Sequence, residues 1–215
     1  MTNQDKEAFC AFMASLLSPP DELMLGTIHQ GEVAFFLEDY IQAWGGSPEL
    51  LSEFSPKCSP QIFLTTLLNE YRRLFSALSG EKISLVESTY KPWTSDAQCA
   101  LPFAGEKGLL RGDSALHLSA IFRQLSLEIP EEYRGTPDHL VIELEFLSSL
   151  YQVATDEQIQ GFIEDHLDWI PDLKEEFIRL HAHPFYENAI EILDLFLKSE
   201  KKRQKAKNHG SKKIH

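Results

Sequence analysis

Apolar residues recur at spacings of three and four from Phe9 almost to the end of this chain, and that period calls for helices. Phe9, Phe12, Met13, Leu16 and Leu17 make one stripe, ended by Ser18-Pro19-Pro20. Val33, Phe36, Leu37, Tyr40, Ile41 and Trp44 make a second, stopped by Gly45-Gly46. A third opens near Pro60 and runs through Leu64, Leu67, Leu68, Tyr71, Leu74, Phe75 and Leu78 to a stop at Gly80. Further on, the pattern predicts helices near 113–125, 136–154, 156–169, 172–182 and 184–198, with Asp156 and Asp172 as cap candidates and Pro184 opening the last. Hairpin signals of the Asn-Gly type are absent and alternating runs are scarce. The expected fold is all-α, a compact multi-helix bundle.

Two stretches break the period. Residues 81–112 hold Pro92, Pro102, Gly105, Gly108 and Gly112, and include the run Ser84-Leu85-Val86-Glu87-Ser88-Thr89-Tyr90-Lys91-Pro92-Trp93. A connection this long inside a helical protein is usually functional or disordered, and its aromatic content argues for order, with Tyr90 and Trp93 as anchors. Residues 126–136 form a second connection, read as a hinge between helical lobes of about 1–125 and 136–198. One helical domain over 1–198 is therefore expected. It is followed at 199–215 by a basic tail too polar to pack and expected to be disordered. A long hinge makes lobe exchange inexpensive, so the chain is expected as a monomer or a domain-swapped homodimer.

The net charge of −13 conceals a division, because eight Lys or Arg and one acid lie from Lys198 onward. Residues 1–197 hold 12 basic and 32 acidic residues, a balance of −20. Such a body repels nucleic acid and anionic lipid and attracts cationic ligands, for example a peptide bearing arginines. No run is long enough to cross a bilayer, and Met1 to Glu7 lack the basic start of a signal peptide. Neither membrane insertion nor export is expected, and the location read is cytoplasmic. Cys10, Cys58 and Cys99 are odd in number and widely spaced, which implies neither a disulfide framework nor a zinc knuckle.

Thr136-Pro137-Asp138-His139 stands at the head of the apolar run Leu140-Val141-Ile142-Glu143-Leu144-Glu145-Phe146. Thr136 is expected to cap the helix, Pro137 to take its first position and Asp138 to face the positive end of its dipole. Counting by fours places His139, Glu143 and Phe146 on one stripe beside buried surface. A structural reading has Asp138 at the dipole and His139 paired with Glu143; a binding reading has the same groups meet a ligand. His166 lies on the stripe Ile159, Phe162, Ile163, His166, Leu167 and Ile170, the setting of a core histidine. Trp93 and Trp169 are packing residues by default, and a Trp beside a groove is also a peptide anchor. There is no HExxH, GxxxxGK[ST], GxGxxG after a strand or GxSxG, so no enzyme, metal centre or cofactor is expected.

Five segments taken together resemble a family. They are Tyr71-Arg72-Arg73-Leu74-Phe75, then Ser84 to Ser88, then Pro137-Asp138-His139 with Glu143 to Phe146, then Phe162 to Pro171, then Pro184-Phe185-Tyr186. In this order they are similar to the TorD/DmsD/NarJ family of redox-enzyme maturation chaperones. The resemblance implies an all-helical cytoplasmic chaperone for a molybdenum-cofactor oxidoreductase of the dimethyl sulfoxide reductase type. It would bind the twin-arginine signal peptide or the apo form of the catalytic subunit and assist maturation before export. The nitrate-reductase branch of the same family implies an alternative, a helical assembly adaptor without signal-peptide recognition. The family's signature falls on Pro137, Asp138 and His139, and the candidate client site adds Glu143, Glu87 and His166. Its aromatic members are Tyr90, Trp93, Tyr133, Phe146 and Trp169. Many members carry Glu just before the signature proline; this chain has Thr136, with Glu131 and Glu132 near enough to supply the carboxylate.

Overall fold

The computed structural model describes residues 1–76 and 80–211, the last eight of these as backbone only. Nine α-helices make up the described fold: α1 (Asn3–Leu16), α2 (Glu22–His29), α3 (Glu32–Ala43), α4 (Pro60–Phe75), α5 (Asp113–Gln124), α6 (Leu140–Val153), α7 (Asp156–His166), α8 (Ile170–Arg179) and α9 (Pro184–Ser211). Short 3₁₀ turns lie at Pro48–Phe54, Glu87–Thr89 and Glu131–Tyr133. The all-α expectation holds, and Pro60 and Pro184 open their helices as the sequence predicts. The short helix α2 and the Pro48–Phe54 turn were not foreseen, since eight and seven residues are too few to display a period. Leu78, placed near the end of the Pro60 helix by its spacing, lies outside the described residues.

Local chemistry sets the helix starts. Thr2 and Asp5 form a reciprocal capping box at α1, and Thr155 with Gln158 forms another at α7. Asp156, expected as a cap, is instead the first residue of α7. Asp172, also expected as a cap, falls inside the first turn of α8, which begins two residues earlier at Ile170. There its carboxylate still faces the positive helix end.

One core joins both halves of the chain. The interior of α6 lies along α1, and α9 packs on α1, α7, α8 and the Pro48–Phe54 turn. Phe9, Leu147, Phe185, Tyr186 and Phe196 are all fully or almost fully buried in it. The lobes expected at 1–125 and 136–198 thus share their packing. The 126–136 connection runs mostly exposed over the surface.

The basic segment begins as a continuation of α9. From residue 199 the chain continues α9 as far as Ser211, and residues 212–215 lie outside the described residues. The segment's first turn is anchored by one acid among the lysines. Glu200 is buried, accepts from Lys6 Nζ (2.8 Å) and Tyr151 Oη (3.0 Å), and pairs with Arg203 (3.1 Å), so it ties the helix to α1 and α6.

The long 81–112 connection is ordered by its aromatic residues. Tyr90 stacks on Trp169 with ring centroids 4.9 Å apart and donates to the Ser84 carbonyl (2.8 Å). Trp93 packs edge-on against Phe103 within the connection itself. A Cβ at Gly112 would stand 2.6 Å from the Trp93 carbonyl oxygen, so only glycine lets α5 begin this close to the segment.

Candidate functional site

The head of α6 is shaped by a neighbour and not by its own capping residues. The Glu87 N–H donates to the Asp138 carbonyl (2.9 Å) and the Leu140 N–H donates to the Leu85 carbonyl (2.8 Å), which makes Val86 and His139 an antiparallel bridge. Asp138 lies in a turn closed by the His139 N–H on the Thr136 carbonyl (3.1 Å) and His139 is extended, so the helix starts at Leu140 and not after Thr136. His139 is the true N-cap, its Nδ1 accepting the Val141 N–H (3.3 Å). What joins His139 to Glu143 is the backbone bond from the Glu143 N–H to the His139 carbonyl (3.0 Å). Tyr133 leans on the His139 ring at 4.7 Å, and burial pushes the His139 imidazole down to about 4. It is neutral at physiological pH.

Beneath the bridge lies a buried polar cluster. Glu87, Asp138 and Glu143 are 0% exposed and His166 is 2% exposed. Asp138 Oδ2 accepts the Ser88 N–H (2.8 Å) and so fixes the 3₁₀ turn that carries Glu87. Glu87 Oε2 meets His166 Nδ1 at 2.9 Å, and its Oε1 lies 2.6 Å from Lys91 Nζ. Lys91 in turn reaches Asp168 (2.5 Å) and the Asp165 carbonyl (2.7 Å). The other nitrogen of His166 meets His117 Nδ1 at 2.9 Å, and the two rings stack. Glu143 enters from the first turn of α6 and shares a side-chain hydrogen bond with Glu87, and its carboxyl oxygens have no partner outside that pair.

The electrostatics follow from this packing. Burial raises Glu143 well above the carboxylate range, and the charge on Glu87 adds to the effect. Burial also works to raise Glu87, but the bond and charge of His166, the Glu143 carboxyl and Lys91 together hold it low. Burial and the charge of Glu87 raise Asp138, against the restraining bonds from Ser88. Of the pair, Glu87 favours the ionised form and Glu143 the protonated one.

Above the cluster runs a surface groove walled by α5, α6 and α7. One part, of about 160 Å³, is lined by Phe122, Leu127, Ile142 and Phe146, with Glu128 and Glu145 at its edge. Phe146 is shared with a second part of about 320 Å³, lined by Ile121, Leu125, Leu150, Phe162 and Asp165. His117, Asp165 and His166 carry the groove on into a third part of about 330 Å³ beside Lys91 and Asp113. Leu125 is 54% exposed and Leu127 48%, so apolar surface faces solvent along the groove wall. Gly161 sits in this wall, and a Cβ there would meet nothing within 4 Å.

The expected site residues divide accordingly. Glu87, Asp138, Glu143 and His166 meet in the interior, with Pro137 buried beside them. Phe146 forms the groove floor. Tyr90 and Trp169 make an internal wall, Trp169 being 3% exposed with its indole N–H on the His166 carbonyl (2.8 Å). Trp93 stays in its loop and Tyr133 covers His139. His117, Lys91, Asp168 and the α5 lining were missed. Lys91, four residues after Glu87, carried a charge-spacing signal; His117 carried none.

The profile of the nitrate reductase delta subunit family matches residues 49–191, a span that takes in the whole cluster and groove. The chain belongs to that family. Curated relatives agree. The chaperone protein TorD of Vibrio cholerae serotype O1 (strain ATCC 39315) is 29% identical over 122 residues, 50% of this chain and 56% of the relative. That of Aliivibrio fischeri (strain ATCC 700601) is 30% identical over 124 residues, 50% of this chain and 58% of the relative. That of Vibrio vulnificus (strain YJ016) is 27% identical over 113 residues, 45% and 53% respectively. The chain spans about half the length of the curated relatives it matches. These family ties bear out the resemblance to the TorD/DmsD/NarJ chaperones, and the relatives' name is that of a chaperone and not of an enzyme. Among the described residues no helix is long and apolar enough to cross a membrane.

Proposed function

We propose that this chain is a cytoplasmic chaperone that holds a segment of a molybdenum-cofactor oxidoreductase catalytic subunit, its twin-arginine signal peptide or its apo form, and assists maturation before export. One observation carries the reading: the α5–α6–α7 groove combines an apolar floor with carboxylates at its edges. A twin-arginine segment offers guanidinium groups beside an apolar run. Glu128, Glu145 and Asp165 suit the first, and Phe122, Phe146 and Phe162 the second. In this reading Pro137, Asp138, His139 and Glu87 set the position of α6 from below and do not touch the client. The family's name favours a second reading, an assembly adaptor for a nitrate-reductase-type enzyme without signal-peptide recognition.

Titration of the full chain with a twin-arginine peptide, a twin-lysine control and an apolar-only control separates the two. Each charge-assisted bond is worth roughly 1.5–3 kcal/mol, so replacing the arginines should weaken binding by about tenfold to a hundredfold. Binding should also weaken as salt rises, since exposed charges are screened within about 8 Å at physiological ionic strength. Gly161→Leu fills the groove wall where space is open and should abolish binding with the fold intact. Equal affinity for all three peptides would favour the adaptor, and full binding by Gly161→Leu would remove the groove as the site.

A further inference from the structure

We propose that Glu87, Glu143 and His166 form a binding site for one divalent first-row transition-metal ion. Three separate segments supply the donors: the Glu87–Thr89 turn, the first turn of α6 and the end of α7. One ligand atom from each lies within 4.8 Å of the others. Metal–ligand bonds of about 2.0–2.2 Å set neighbouring donors roughly 3–4.4 Å apart, so closure onto an ion needs side-chain adjustment and no refolding.

The second observation is Glu143 itself. It is fully buried, and its carboxyl oxygens have no partner beyond the hydrogen bond shared with Glu87. A buried carboxyl whose partner is another carboxyl is costly, and the fold keeps both of this pair at 0% exposure. An ion set between the two carboxylates takes the place of the proton they share.

The surroundings have the form of an outer shell. His117 holds Nε2 of His166 and so directs Nδ1 at Glu87. Lys91 holds Oε1 of Glu87 and leaves Oε2 turned to the same centre. Supports of this kind orient metal ligands and fix the imidazole tautomer. The positive charge of Lys91 opposes an ion, and Asp168 at 2.5 Å offsets it. A donor set of two carboxylates and one imidazole suits Mn²⁺, Fe²⁺, Co²⁺ or Zn²⁺ and does not suit a thiophilic ion such as Cu⁺. The entry path is the groove, which both His117 and His166 line.

The test uses the full chain, stripped with chelator and titrated separately with Zn²⁺, Mn²⁺ and Co²⁺ by calorimetry, with bound metal counted by elemental analysis. One ion per chain is expected, along with a rise in melting temperature and visible Co²⁺ absorption typical of nitrogen and oxygen ligands. Glu143→Gln keeps the shape and should weaken binding at least tenfold, as should His166→Asn. His117→Ala should weaken it about tenfold through loss of ring orientation. Circular dichroism checks each fold, and if His166→Asn fails to fold, Glu143→Gln decides. No stoichiometric binding of any of the three ions would overturn the proposal. So would binding that is equal in wild type and Glu143→Gln, which would assign the ion to surface carboxylates.

Discussion

Replacing Asp138 tests whether the signature acts from below the surface. Asp138→Ala removes the acceptor for the Ser88 N–H, a 2.8 Å bond between fully buried groups. A buried donor left without a partner costs about 1–3 kcal/mol, and a bond to a charged acceptor lies toward the upper end. Part of that is recovered, because burial and Glu87 already disfavour the ionised Asp138. The net expectation is a loss of about 1–3 kcal/mol, or roughly 2–12 °C in melting temperature for a chain of this size. Asp138→Asn should behave differently. It keeps an acceptor for the Ser88 N–H, and its amide can donate to the Ser88 hydroxyl, which bonds the carboxylate in the wild type. Its stability should fall within about 0.5 kcal/mol of wild type, the range of a substitution that removes no contact. The assay is urea unfolding followed by circular dichroism, paired with peptide titration. An alanine variant as stable as wild type, or an asparagine variant as unstable as alanine, would refute the argument. A tenfold loss of peptide affinity in a fully stable Asp138→Asn would show that the carboxylate meets the client.

Two further outcomes are expected. Gly112→Ala sets a Cβ 2.6 Å from the Trp93 carbonyl oxygen, a backbone atom that cannot rotate away, and should cost about 1–3 kcal/mol in thermal or urea unfolding; an unchanged midpoint would mean that the 81–112 segment yields freely. His139 titrates near 4 when folded and near 6.5 when unfolded, so its contribution is fully present above pH 6.5 and is lost as pH falls toward 4, by up to about 3 kcal/mol; a His139→Gln variant should show a flatter stability profile across that window, and an unaltered profile would refute it.

The fold was legible because its helices carry their period in sequence. Leu67, Leu74, Phe162 and Ile163 announced buried faces that the structure confirms. Two kinds of feature were less legible. Short elements such as α2 hold too few turns to show a period. Boundaries set by distant partners are also silent, as at α6, where the strand-like contact from Leu85 to Glu87 postpones the helix to Leu140. The basic segment shows the same override. Local composition argues for disorder, and Glu200 paired with Lys6 ties the first turn of the segment to α1.

The candidate site follows this division between near and far information. Sequence spacing placed His139, Glu143 and Phe146 on one helical stripe, and in the structure they do different work: His139 caps, Glu143 turns into the interior and Phe146 floors the groove. A helical stripe is about 100° wide or more, enough to span surface and interior at once. What assigns each residue its role is the element packed against it. Glu87 and His166 draw the polar cluster inward, while α5 and α7 leave the far edge of the stripe open to solvent. On the proposed reading, the signature at 137–139 and the groove are two faces of one device. A change that loosens the Glu87–Asp138 contact should shift α6, and with it the spacing between Phe146 and the α5 wall, without altering the groove residues proposed to meet the client.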